Sequence, residues 1–231
     1  MNLISFKIHK AGWPFIGIFA LVALIFYSFS HFLGVVGFIL TLWCLYFFRD
    51  PDRVVPTKES LILSPADGHI QAIEMAPMPK ELGTKGEFLR ISIFLNIFDV
   101  HVNRVPVSGI LLKSVYHAGQ FLNASLDKAS DLNERHSYLL KVELRQSKLT
   151  TKIAFVQIAG LIARRILSTI EEGDRLIAGE RFGMIRFGSR MDVYLPLNVA
   201  PLVCVGQYVL GGETPLADLT SEDLPREGLL K

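Results

Sequence analysis

An uncharged run of 38 residues, 11–48, lies between Lys10 and Arg49 and is rich in Phe, Ile, Leu and Val. About 20 residues at about 1.5 Å rise cross a hydrocarbon core of about 30 Å, so the run holds roughly twice what one span needs. A cleavable leader would carry an apolar region of only about 7–15 residues and a small-residue cleavage site, and the run fits that poorly. Ser28, Ser30, His31 and Gly34 interrupt it near the middle, which predicts a tight turn between two apolar helices over 13–30 and 33–48. Both flanks are basic, with Lys7 and Lys10 before and Arg49 and Arg53 after. Under the positive-inside rule both ends, and the domain that follows, lie on the cytoplasmic side of the cell membrane. Trp13 and Trp43 fall near that same interface. The alternative is a re-entrant or surface-lying apolar hairpin, which would also hold the rest of the chain against a bilayer. The expected organisation is a membrane-anchoring hairpin over 1–53 and a second domain over 54–231.

The length of 231 residues allows one ordinary domain beside such an anchor. Basic and acidic side chains number 24 and 22, a net +2 that gives no global attraction to nucleic acid. The mean hydropathy of +0.37 is high for a soluble protein, and the apolar end accounts for the excess. Cys44 and Cys204 make no disulfide framework and stand in no zinc-ligand spacing, which fits reducing surroundings. No P-loop, Gly-x-Gly-x-x-Gly string or His-Glu-x-x-His pair occurs, and no two histidines have helical ligand spacing, so no metal is expected.

After Asp50-Pro51 and Pro56 the texture changes to brief β-branched runs broken by Gly, Pro, Asn and Asp. Strands are expected at 60–63, 69–75, 88–95, 109–116, 137–144, 151–158, 183–187, 190–195 and 200–205, a spacing typical of sandwiches and barrels. The fold class is therefore mainly β, sandwich- or barrel-like, with some helix and an N-terminal hydrophobic helical hairpin. Leu161–Ile170 fits helix or strand equally. Gly119 to Arg135 is polar and long enough to be either a functional lid or an unordered connector.

Three constellations offer chemistry. Ser64-Pro65-Ala66-Asp67-Gly68-His69 is a turn presenting a carboxylate, although Asp-Gly is common turn chemistry. In Phe98 to Pro106, an extended backbone would put His101 on one face with Asp99 and Asn103, making it either a positioned base or a structural histidine. His117 stands at the entrance to the polar loop; His69 and His136 have weaker contexts. The third is Arg181 to Pro196, with Gly188-Ser189 between two expected strands.

Read as a longer string, that third segment resembles the self-processing site of the short, bacterial and archaeal type of phosphatidylserine decarboxylase. Phe47-Phe48-Arg49-Asp50-Pro51, Ser64-Pro65-Ala66-Asp67-Gly68, Asn96 to Pro106, Gly119-Gln120-Phe121 and Asn133-Glu134-Arg135 fall in the same family's order, so the resemblance covers most of the chain. It implies a proenzyme that breaks its own bond between Gly188 and Ser189, giving a large chain (1–188) and a small chain (189–231). Ser189 would become a pyruvoyl group, a self-made cofactor whose ketone takes up the substrate amine and draws in the electron pair released with CO₂. The substrate implied is a phospholipid, phosphatidylserine, converted to phosphatidylethanolamine. Asp67 matches the family's Pro-x-Asp-Gly aspartate, which forms with a histidine and the serine a triad-like arrangement. Longer members carry Asp-x-His-x-x-His-x-Pro; here Arg104 stands at the second histidine position and only His101 matches. His101 is accordingly the first choice for catalysis and His117 the second. Arg104 is a candidate grip for the substrate phosphate or carboxylate, with a surface salt bridge as its plain alternative. A homo-oligomer is left open.

Two other readings fit parts of the sequence. Pro-x-Asp-Gly and Asp127-Lys128-Ala129 suit a membrane-anchored biotinyl- or lipoyl-like carrier or adaptor, although Lys128 sits in a long polar loop rather than at a hairpin tip. A decarboxylase of archaeal-type ether-linked serine lipids would present the same residues.

Overall fold

The computed structural model describes residues 7–120, 132–145, 147–160, 165–186, 189–221, 223–226 and 228–229. The apolar run forms two antiparallel helices, α1 (Trp13–Phe29) and α2 (His31–Phe47), joined by the single extended residue Ser30. A Cβ on Gly34 would stand 2.5 Å from Tyr27, and one on Gly37 would stand 2.7 Å from Ala23, so the two glycines let the helices pack closely. Their other faces carry bare apolar side chains, with Leu24, Phe29 and Phe32 all more than two-thirds exposed. The helical stretch Lys10–Phe29 is long and apolar enough to cross a membrane by length and composition. At 17 residues α2 is shorter, about 25 Å.

Thirteen strands are described: β1 (Leu61–Leu63), β2 (Gly68–Pro77), β3 (Glu87–Leu95), β4 (Val102–Arg104), β5 (Gly109–His117), β6 (Arg135–Glu143), β7 (Thr150–Ala159), β8 (Ile166–Ser168), β9 (Arg175–Leu176), β10 (Arg181–Ile185), β11 (Ser189–Leu195), β12 (Tyr208–Val209) and β13 (Pro215–Asp218). Eight form one antiparallel curled sheet in the order β12-β2-β3-β11-β7-β6-β5-β9. A three-stranded sheet, β4-β10-β8, and the pair β1-β13 complete the β structure. The mainly β class with an apolar helical pair is as expected.

Alternation explains where the core lies. Along β11, Met191, Val193 and Leu195 join the large cluster containing Ile91, Ile93, Phe155 and Phe182, so this is the inner face. Arg190, Asp192 and Tyr194 face the other way, yet they too are buried. The segment Met78–Leu82 covers part of that outer face with Ala76, Leu139 and Val156. Arg190 and Asp192 satisfy each other there through two hydrogen bonds of 2.6 and 2.9 Å.

Several sequence expectations need correction. Residues 200–205 are not a strand: Pro201 makes one isolated bridge to Ala217, because proline lacks a ladder donor and the chain turns at Gly206. The short strands β9, β12 and β13 were not anticipated. The described part of Leu161–Ile170 contains β8; residues 161–164 lie outside the described residues. Gln120 and Asn133 pair across the ends of the polar loop, whose residues 121–131, with Phe121 and Lys128, are likewise outside them.

Candidate active site

Ser189 opens β11, opposite Leu95 of β3 on one side and Ala159 of β7 on the other. It belongs to the inner-face alternation of Met191. Its Oγ is buried and has no hydrogen-bond partner among the described residues. Gly188, the other half of the expected cleavage site, lies outside the described residues.

The Asp67 turn reaches the same end of the sheet. Gly68 has φ +155°, and a Cβ there would stand 2.2 Å from the Phe94 carbonyl, so only glycine brings β2 this close to β3. Asp67 is buried, its Oδ1 accepting from the Gly211 amide at 2.8 Å and its Oδ2 from Arg53 at 2.6 Å. Burial pushes its pKa up, against the pull of Arg53 and the Gly211 amide. Two strand widths, about 10 Å of backbone, separate the Asp67 turn from Ser189.

His101 precedes β4 in the extended segment that the sequence suggested. Its carbonyl accepts from the Ile185 amide at 3.3 Å, which sets it beside β10 just before the chain returns to Ser189. The imidazole is fully buried and stands 4.4 Å, centroid to centroid, from Phe47. Nδ1 lies 3.0 Å from the Asp99 carbonyl oxygen and donates to it. Burial pushes the ring's pKa down to about 4, so it is a neutral imidazole at neutral pH. The Asp99 carboxylate, expected beside the ring as its orienting group, is used elsewhere. It accepts from the Asn96 amide at 2.8 Å and from the Tyr208 hydroxyl at 3.0 Å. The main-chain carbonyl, not the side chain, orients the histidine.

His117 is not brought to this group. It is exposed at the end of β5, three strands from β11 and about 14 Å away in backbone. Its row, through Arg135 and Ile158 to Arg190, belongs to the outer face, opposite Ser189. Arg104 is buried, and its guanidinium donates to the carbonyls of Gly179 and Pro51, each at 2.8 Å. Arg181 is likewise engaged, pairing with Asp50 at 2.7 Å. Among the described residues no group of three or more His, Cys, Asp or Glu could hold a metal ion.

Sequence reasoning missed Arg53, which it read only as a membrane-flanking charge, and Tyr208, which no motif marked. It placed Phe47 within the anchoring segment 1–53, whereas Phe47, Phe48, Val100, Val102 and Met184 form one buried cluster. The arrangement sets a buried hydroxyl, a neutral imidazole and a buried carboxylate toward one end of the sheet.

A family model described as phosphatidylserine decarboxylase matches residues 40–217. A relative from Rickettsia akari (strain Hartford), named phosphatidylserine decarboxylase proenzyme, is 57% identical over 212 residues, 91% of this chain and 90% of the relative. A second of the same name from Rickettsia bellii (strain OSU 85-389) is 58% identical over the same shares.

Proposed function

This chain belongs to the phosphatidylserine decarboxylase family and is a phosphatidylserine decarboxylase, and we propose that it makes its own catalytic group by splitting between Gly188 and Ser189. One observation carries the reading: the Ser189 Oγ is buried and has no hydrogen-bond partner among the described residues, at the start of a central strand and toward the end of the sheet that holds the Asp67 turn and His101. A group formed from Ser189 fits there, since a buried polar atom without a partner is costly unless chemistry uses it. The pyruvoyl group derived from Ser189 supplies an electron sink for the pair released with CO₂.

In this proposal the Ser189 hydroxyl attacks the carbonyl of residue 188, and His101 takes the proton. Its neutral state suits a base, and the Asp99 carbonyl holds the tautomer that leaves Nε2 to accept. Asp67, held by Arg53 and the Gly211 amide, is the fixed carboxylate of the site. His117 has no part in the first steps. Arg104 ties the segment that leaves the helices to the Gly179 turn instead of gripping the lipid phosphate.

The helix pair is the membrane anchor, its basic base on the cytoplasmic side, and the head group enters from the bilayer surface beside α2. The boundary near residue 53 divides sequence more than structure, because Phe47 packs on His101 and Arg49 donates to the Phe98 carbonyl at 2.7 Å. The decisive test is intact-mass analysis of the purified full-length protein. Two chains, 1–188 and 189–231, with a small chain lacking a free amine, are expected; Ser189→Ala should stay one inactive polypeptide. A single unsplit wild-type chain that still releases CO₂ would end the proposal.

A further inference from the structure

We propose that Asn103 is the hydrogen-bond donor to the Ser189 side-chain oxygen as that oxygen departs during self-cleavage, and that Gln157 and Tyr138 are the positioning residues that aim its amide. The inference rests on the reading that the chain splits at Ser189.

Three buried inner-face side chains form a directed relay. The Tyr138 hydroxyl donates to Gln157 Oε1 at 2.6 Å. Gln157 Nε2 then donates to Asn103 Oδ1 at 2.8 Å and to the Leu167 carbonyl at 3.3 Å. A backbone carbonyl only accepts, so the Gln157 amide has one possible orientation, and Asn103 must turn its own oxygen toward it. Asn103 Nδ2 is thereby left as a donor, fully buried and with no partner among the described residues. Ser189 Oγ is in the same condition.

Register sets both orphans beside Gln157. Met191 pairs with Gln157 and Ser189 with Ala159, so Gln157 and Ser189 are diagonal neighbours on one face, about 7–8 Å apart. Asn103 bonds Gln157 from across the core. It pairs with Gly183 of β10, the strand that leads back to Ser189, and a Cβ on Gly183 would stand 3.0 Å from Gln157 Nε2. The glycine lets β10 press Asn103 onto the amide.

The chemistry creates a need for such a donor. In the first step the Ser189 oxygen bonds to the carbonyl carbon of residue 188, the peptide C–N bond breaks and the Ser189 nitrogen leaves as an amine carrying the transferred proton. The product is an ester. In the second step a base removes the Ser189 Cα proton, the freed pair forms the Cα=Cβ bond, and the Cβ–Oγ bond breaks. Oγ leaves as one oxygen of the new carboxylate of the large chain. The dehydroalanine then takes up water and releases ammonia, leaving the ketone. Negative charge grows on Oγ in the second step, and a preplaced donor in a dry site speeds such steps by about 10²–10³.

The test uses the full-length protein with Asn103→Asp, which keeps shape but lacks the donor. Ester should still form but break down about 100-fold more slowly, so an uncut chain accumulates that neutral hydroxylamine splits at 188–189, exposing a free Ser189 amine. Tyr138→Phe, which removes one of the three bonds that hold the Gln157 amide, should accumulate the same hydroxylamine-sensitive species to a smaller extent, and it carries the test if Asn103→Asp does not fold. Splitting at the wild-type rate in both variants, or an uncut chain with wild-type Tm that hydroxylamine leaves intact, would overturn the assignment. A wild-type chain that never splits at Ser189 would instead take down the underlying reading together with it.

Discussion

The imidazole of His101 lies 4.4 Å, centroid to centroid, from the ring of Phe47, the last residue of α2. The last residue of the apolar helices therefore packs against the buried histidine. Burial holds the ring's pKa down at about 4.

Phe47→Ala should open the His101 ring to water. Phenylalanine truncation in a core costs about 3–5 kcal/mol. The His101 pKa should rise toward 6.5, moving the acid limb of the pH–activity profile of processed enzyme to higher pH. An unchanged limb would show that α2 contributes no shielding.

Arg104→Ala should behave as a stability mutant. Two charge-assisted bonds to the Gly179 and Pro51 carbonyls are lost, at a cost of about 3 kcal/mol. Tm should fall while KM for phosphatidylserine in mixed micelles stays at the wild-type value. A KM raised tenfold with Tm unchanged would restore the arginine as a head-group ligand.

Gly68→Ala should abolish folding or processing, because the new methyl would meet the Phe94 carbonyl at 2.2 Å in a backbone conformation alanine rarely adopts. Gly86→Ala is the control: its φ is also positive, +104°, but nothing lies within 4 Å. It should cost only about 1 kcal/mol of strain and leave processing intact. Equal effects from the two would show that backbone strain, not close approach, governs Gly68.

Acid should weaken the fold. His101 and His136 both have folded pKa values lowered to about 4 from 6.5, chiefly by burial. Between those values the unfolded chain binds more protons, so stability is complete above pH 6.5 and falls as pH drops toward 4. Asp67, whose folded pKa is raised, works in the opposite sense and softens the slope. Urea unfolding from pH 7 to 4.5 should show the decline, and His136→Gln should flatten it. A flat profile in the wild type would mean that neither histidine is buried in solution.

Much of the architecture was legible along the chain. The uncharged run could only be helical, since it offers no other way to satisfy its backbone among apolar side chains, and its polar middle marked the turn at Ser30 to within a few residues. Period-two patterning located the long strands β2, β3, β5, β6, β7 and β11. The two-residue strands were not legible, because two residues carry no period; β9 and β12 exist only because a neighbouring edge was there to pair with them.

The candidate site divides the same way. Local chemistry only marked Asp67 and His101 as open candidates; the ordered set of motifs shared with the decarboxylase family singled out Ser189 and preferred the other two. Which histidine lies on the side of Ser189 depended on strand order and face, and these put His117 on the far side of the sheet. Arg104 read as a lipid grip or a surface salt bridge, and packing gave its donors to two backbone carbonyls instead. The partners Tyr208, Arg53, Gln157 and Phe47 come from segments remote in sequence, and only the closing of the curled sheet over the end of the helix pair decides their contacts. Hydrophobic period is written residue by residue, whereas the hydrogen-bond partner of a buried group is fixed by whichever strand the completed core places opposite it.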